Sequence, residues 1–193
     1  MPAGQARKLP GTFFTRPAEV VARDLLGRVL VHESGDGRAS GVIVEAEAYL
    51  PAGDPASHAQ RGPTARNASM FLEGGHAYVY LIYGLHLCFN VVSGRAGSGE
   101  AVLIRALEPL EGRPLMEARR GQPMLCTGPA RLVQALGIQR EHDGCELQAG
   151  PLQLLAGSPV PNGAVGRGPR IGISRGLELP LRFFIKGNPC ISR

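Results

Sequence analysis

Val42-Ile-Val-Glu-Ala-Glu-Ala-Tyr49 decides how this chain is read. Val42, Val44, Ala46, Ala48 and the following Leu50 are apolar, while Glu45, Glu47 and Tyr49 share the opposite parity. Period two marks a strand with one apolar and one polar face. The expectation is a half-buried strand that presents two carboxylates and a phenol side by side.

Further along, Tyr78-Val-Tyr-Leu-Ile-Tyr-Gly84 holds three of the four tyrosines in the chain. Together with Leu85 to Ser93 it predicts two strands, Ala77 to Tyr83 and Leu85 to Ser93, joined by a tight hairpin at Tyr83-Gly84. Tyr80 and Tyr83 have opposite parity, so a regular strand cannot aim both into one pocket. One can line a pocket while the other projects from the tip; a tyrosine-rich core strand is the alternative. Carboxylates beside concentrated aromatics suit a site that grips a flat, cationic ring and performs acid–base chemistry next to it.

Outward from these stretches, Pro17 to Leu26 predicts a helix, with proline at its start and Gly27 just past its end. Arg28 to Glu33 and Gly41 to Leu50 are predicted strands joined through Ser34-Gly-Asp-Gly37. Pro51 to Ser69 is a polar loop of a length that usually serves function or is disordered. Ala101 to Leu107 predicts another strand, Arg113 to Arg120 and Pro129 to Leu136 helices, the second closed by Gly137. Gly144 to Gly168 is weakly patterned, and Leu181 to Lys186 predicts a last strand with Arg182 and Lys186 on one face. With no repeat and no break in composition, the chain reads as one domain over 1–193, with residues 1–12 loose.

At 193 residues and 44 % apolar composition the chain can build a real core. Its formal net charge is +5, and only Lys8 and Lys186 are lysines. Arginine forks bind phosphates bidentately, so the surface points to a polyanionic partner. No apolar run approaches the length of a membrane span, and residues 1–10 lack a signal core. Cys88, Cys126, Cys145 and Cys190 are scattered, which indicates neither a zinc site nor a disulfide framework. A reduced, cytoplasmic protein is expected, or a nuclear one in a eukaryote, without metal or cofactor.

Several residues carry two readings. Glu47 is either a solvated carboxylate or a catalyst. His58, in the long loop, is either surface decoration or part of a site. Asn90 lies within Cys88-Phe-Asn-Val-Val92 and must find partners if buried, as a structural bracket or a base-reading group. Arg105, entering the apolar run Val102-Leu-Ile-Arg-Ala-Leu107, wants a carboxylate or phosphate, and Glu47 is a natural partner.

Taken together, Val44-Glu-Ala-Glu-Ala-Tyr-Leu50, Met70-Phe71, the tyrosine run, Asn90, Arg105-Ala-Leu-Glu-Pro-Leu-Glu-Gly112 and Cys126-Thr-Gly-Pro-Ala130 resemble the alkyladenine (3-methyladenine) DNA glycosylase family of vertebrate type. The similarity runs from about Arg16 to the end of the chain. It implies an α/β (α+β) single domain with a curved, mostly antiparallel β-sheet, flanking helices and a protruding DNA-inserting β-hairpin. It further implies a monomer that acts on double-stranded DNA with damaged purines and leaves an abasic site without cutting the strand.

Residue by residue, the resemblance makes Glu47 the base that activates water. Arg105 would hold Glu47 and that water, with the carbonyl of Ile171 completing the water site. Tyr49, His58 and Tyr80 would enclose the flipped base, and Asn90 would crowd the 2-amino group of guanine. Met70 and Leu103 would pack around the pocket, and Tyr83 would fill the gap left in the duplex. Arg131, Arg182 and Lys186 would contact phosphates. The loop His58 to Asn67 is shorter than in the vertebrate members, and His86 stands where an aromatic is usual; both bear on lesion preference. The residues alone also leave open a silent DNA-binding module and an enzyme of free nucleosides.

Overall fold

The computed structural model describes residues 7–192. Its frame is one curled sheet in which every pairing is antiparallel. In chain order the strands are β1 (Val29–Ser34), β2 (Gly37–Tyr49), β3 (Ala77–Ile82), β4 (His86–Ser93), β5 (Glu100–Glu111), β6 (Leu152–Leu155), β7 (Val165–Gly168) and β8 (Arg182–Ile185). They run in the order β3-β4-β5-β2-β1-β6, with β8 added to β2 and β7 to β8. The helices α1 (Gly11–Phe14), α2 (Ala18–Leu25), α3 (Arg113–Arg120) and α4 (Pro129–Leu136) flank it. α2 packs on β2, and α4 on β4 and β5. The arrangement is the α+β domain with a curved antiparallel sheet that the sequence led us to expect.

β2 is the axis of the sheet. One edge pairs with β5; the other pairs with β1 over Gly37 to Val42 and with β8 over Glu45 to Glu47. Its polar face is not solvated: Glu45 and Glu47 both have 0 % exposure. The expectation of a half-buried strand is therefore corrected. The chain at Ile171 and Ser192 covers that face and hydrogen-bonds both carboxylates, so water is replaced there by protein donors.

Two short strands, β6 and β7, lie in the weakly patterned span 144–168. Four residues are too few to show a period, and both are recruited by their partners β1 and β8. Of the stretch expected to be loose, residues 1–6 lie outside the described residues. Beyond them Leu9 is buried and donates to the carbonyl of Leu154 at 3.0 Å.

α2 shows how local signals and tertiary partners share the work. Pro17 at its N-cap offers no side-chain acceptor, so Glu100 of β5 takes the Ala18 N–H at 2.8 Å. At the other end Gly27 turns left-handed (φ +80°) and donates to the Ile43 carbonyl at 2.8 Å. A Cβ at Gly27 would stand 2.1 Å from the Ser158 carbonyl oxygen. Gly27→Ala should therefore cost more than the ~1–2 kcal/mol of the left-handed backbone alone. Urea unfolding of the variant measures the loss, and a change under about 0.5 kcal/mol would contradict this account.

Candidate active site

The site begins with two bulges at the same level of the sheet. Between Ile43 and Ala46 the pairing of β2 with β5 slips and recovers: Ile43 faces Leu107, Glu45 faces Ala106, and Ala46 faces Ile104. Val44 on β2 and Arg105 on β5 are left without opposite numbers. The slip inverts parity, so Ile43 and Ala46 both enter the main core. Arg105, two residues from the Leu103 that pairs with Glu47, shares the face of the two carboxylates, and the slip moves it out of direct opposition to Glu45.

There Arg105 lies between the two carboxylates, 6 % exposed. Its Nε is 3.4 Å from Glu45 Oε1, and its Nη1 is 3.3 Å from Glu47 Oε1. Nη1 also donates to the Ile171 carbonyl at 3.2 Å, while Nε and Nη2 both donate to Ser192 Oγ at 3.2 Å. Glu45 is saturated on the far side by Arg182 Nε and the Ser192 N–H, each at 2.6 Å. Glu47 accepts the Ile171 N–H at 2.7 Å and the Tyr49 hydroxyl at 3.1 Å.

The environments of the two carboxylates differ in consequence. Burial pushes the Glu47 carboxyl above its ordinary value; Arg105, the Ile171 N–H and Tyr49 pull the other way without cancelling it. Burial likewise raises the Tyr49 phenol, aided by Glu47, so Tyr49 stays protonated and donates. Behind Tyr49 the buried Arg170 guanidinium lies 4.6 Å from the ring centroid and pairs with Asp54 at 2.6 Å through each Nη.

Above this floor opens a cleft of about 640 Å³. Tyr49, His58, Met70, Tyr80, Asn90, Leu103, Arg105 and Ile171 all line it, as expected of a single site, and Tyr83 stands at its mouth. Glu47 lies beneath Tyr49, Arg105 and Ile171. Tyr78 and Tyr80 share a face of β3 and stack at 5.3 Å, and His58 meets the Tyr80 ring edge-on at 4.6 Å. His58 Nδ1 and the Tyr78 hydroxyl are 2.9 Å apart. His58 is exposed overall, but the shielded ring edge among the tyrosines, together with Arg66, lowers its imidazole pKa. Asn90 Nδ2 donates to the Tyr78 carbonyl at 3.0 Å, so it is a bracket that also faces the cleft.

The hairpin tip is built as a type I′-like turn. Tyr83 and Gly84 are both left-handed (φ 52° and 69°), and Leu85 N–H returns to the Ile82 carbonyl at 3.2 Å. Tyr83 is 81 % exposed and Leu85 78 %. The basic residues differ in their freedom. Arg131 is exposed on α4, and Lys186 is exposed just past β8, each touching one backbone carbonyl. Arg182 is committed inside the protein, paired with Glu45 and stacked 4.6 Å from the Phe184 centroid. The phosphate contact expected of Arg182 gives way to this internal pair.

Sequence reasoning passed over Tyr78, Glu45 and Ser192 as site residues. Tyr78 was legible, because it shares parity with Tyr80. Ser192 carried no signal: the two carboxylate-site partners that give it a role, Arg105 and Glu45, are 87 and 147 residues away. Among the described residues no group of three or more His, Cys, Asp or Glu is placed to hold a metal ion, and no helix is long and apolar enough to cross a membrane.

The chain is similar to known DNA glycosylases. The family model described as "Methylpurine-DNA glycosylase (MPG)" matches residues 12–189. A protein of Methanoculleus marisnigri, named "Putative 3-methyladenine DNA glycosylase", is 50 % identical, with 96 % of this chain and 98 % of that protein covered. Proteins of the same name from Rubrobacter xylanophilus and Myxococcus xanthus are 52 % and 48 % identical, covering 85 % and 96 % of this chain and 86 % and 93 % of their own.

The two carboxylates should respond oppositely to neutralisation. Glu45→Ala leaves the buried Arg105 and the half-buried Arg182 short of an anion and should cost about 3–5 kcal/mol. For Glu47 the raised pKa means that its contribution to stability is complete below the unfolded-state pKa and is lost as pH rises through the folded value. At neutral pH the ionised form is thus a burden, and Glu47→Gln should be as stable as the parent or more so. Urea midpoints at pH 7 check both; equal destabilisation by the two variants would refute the distinction.

Proposed function

Because the chain belongs to the methylpurine-DNA glycosylase family, we propose that it turns a damaged purine out of duplex DNA into the aromatic cleft and hydrolyses its N-glycosidic bond with water activated by Glu47. The observation that carries this reading is the buried Glu47, held by Arg105, Ile171 and Tyr49 directly beneath a cleft of tyrosines. A module that only bound DNA would have no use for a desolvated carboxylate under an open pocket, where burial of charge is costly.

Extrusion of a base costs a few kcal/mol of lost stacking, least where pairing is already weak. Tyr83, standing clear of the protein at the tip, restacks in the gap. The extruded N-alkylpurine is cationic, and Tyr49, Tyr80 and His58 enclose it, each aromatic face contributing roughly 0.5–2 kcal/mol. Asn90, fixed by its bond to Tyr78, meets the base edge and disfavours the 2-amino group of guanine. Met70 and Leu103 fill the remaining wall.

Cationic bases leave without a strong acid, so one carboxylate suffices, unlike the carboxylate pair of sugar hydrolases. Glu47 takes a proton from water and its charge faces the oxocarbenium-like sugar as the bond to the base lengthens. Its raised pKa makes it a stronger base than an ordinary carboxylate. Arg105 and the Ile171 N–H fix its orientation. Neither lysine of the chain lines the cleft. With no lysine among the lining residues to form a Schiff base, the product is an abasic site in an intact strand.

Labelled duplexes carrying hypoxanthine or ethenoadenine, and methylated DNA scored for 3-methyladenine release, test this directly. Glu47→Gln should lower single-turnover excision by roughly 10²–10⁴-fold while leaving affinity for an abasic-analogue duplex intact. Strand breaks should appear only after alkali. Since the base acts ionised, the wild-type rate should fall on acidification through a pKa above 4.5, the ordinary value. Tyr83→Ser should weaken lesion-specific binding more than salt-sensitive nonspecific binding. Full excision by Glu47→Gln would remove the carboxylate from the mechanism.

A further inference from the structure

Ser192 is 6 % exposed and lies 87 residues from Arg105 in sequence. All three of its polar groups are used on the floor of the site. Its N–H donates to Glu45 Oε2 at 2.6 Å, its carbonyl accepts from Arg182 Nη2 at 3.2 Å, and its Oγ accepts from both Nε and Nη2 of Arg105 at 3.2 Å. The segment that delivers it is itself tied down. Asn188 Nδ2 donates to Glu108 on β5 at 2.8 Å, and Asn188 Oδ1 accepts from the Cys190 N–H at 2.9 Å.

Arg105 reaches Glu47 only through Nη1, at a loose 3.3 Å, and shares that nitrogen with the Ile171 carbonyl. The guanidinium is planar, so fixing Nε and Nη2 fixes where Nη1 lies. Glu45 alone cannot do this, since Arg182 takes its Oε1 at 2.6 Å against 3.4 Å for Arg105. The Ser192 hydroxyl is the partner that holds the other two nitrogens.

We propose that Ser192 is a positioning residue for base excision: its hydroxyl sets the plane of Arg105 and through it the orientation of Glu47 and the attacking water. This rests on the reading of Glu47 as the base given above. A misplacement of the order of an ångström costs as much as 10²-fold in rate. Around Glu47 the charged and titratable groups are Arg105, Tyr49 and Glu45, with Arg170 and the Cys88 thiol also within electrostatic reach, and Arg105 is what holds its pKa down most. Loosening Arg105 should therefore move the acid limb of the rate profile to higher pH.

The test compares Ser192→Ala and the near-isosteric pair Ser192→Thr and Ser192→Val with wild type, with Glu47→Gln in parallel. Ser192→Ala keeps both backbone contacts. It should remain folded by circular dichroism, bind abasic-analogue duplex normally, lose roughly 10- to 100-fold in single-turnover rate, and show the acid limb displaced upward. Thr should restore rate and profile; Val should not. The Thr/Val comparison decides the matter if the alanine variant folds poorly. A rate for Ser192→Ala or Ser192→Val within twofold of wild type, or a slow variant whose acid limb has not moved, overturns the assignment provided Glu47→Gln is inactive. An active Glu47→Gln would instead sink the mechanism on which it rests.

Discussion

One guanidinium organises this protein. Arg105 enters an otherwise apolar strand and lies between two carboxylates that have no access to solvent. Buried ions are tolerated only when they are paired and their hydrogen-bonding capacity is met. That requirement explains features that otherwise look unrelated. Arg182 and the Ser192 N–H saturate Glu45, the Ile171 N–H and Tyr49 complete Glu47, and the segments carrying 171 and 192 are drawn across the polar face of β2. The cover over the strand is thus a consequence of the charges beneath it.

The same network divides labour between two residues that look equivalent in Glu-Ala-Glu. Glu45 faces two arginines and a backbone donor and acts as the structural anion. Glu47 faces one arginine that it shares with Ile171, and burial prevails over its partners. The double bulge that inverts parity at Val44 and Arg105 makes this possible, because a regular pairing would set Arg105 directly opposite Glu45. The shift in register thereby sets where Arg105 lies between the two carboxylates.

Much of this was legible beforehand and some of it was not. Parity placed Glu45, Glu47 and Tyr49 together, turn chemistry placed Tyr83 at a tip, and an arginine in Val-Leu-Ile-Arg-Ala-Leu announced a buried anion. Parity also misled, since alternation says that two faces differ but not that the polar one is wet. β6 and β7 are too short to show a period. Ser192, Asp54 and Arg170 acquire their place in the site through partners more than eighty residues away, and neither composition nor spacing records such contacts.

The turn that carries Tyr83 has a thermodynamic side. Its left-handed backbone and its Leu85 to Ile82 bond exist without DNA, so the loop has already given up its freedom at folding. If the tip meets a duplex as proposed, ordering that would otherwise oppose association has been met in advance, and contact would cost little further chain entropy. An aromatic side chain with two rotatable bonds adds small cost of its own. In the proposed reading the tip would therefore meet a base step as a turn already formed, not as a loop that must fold around its target.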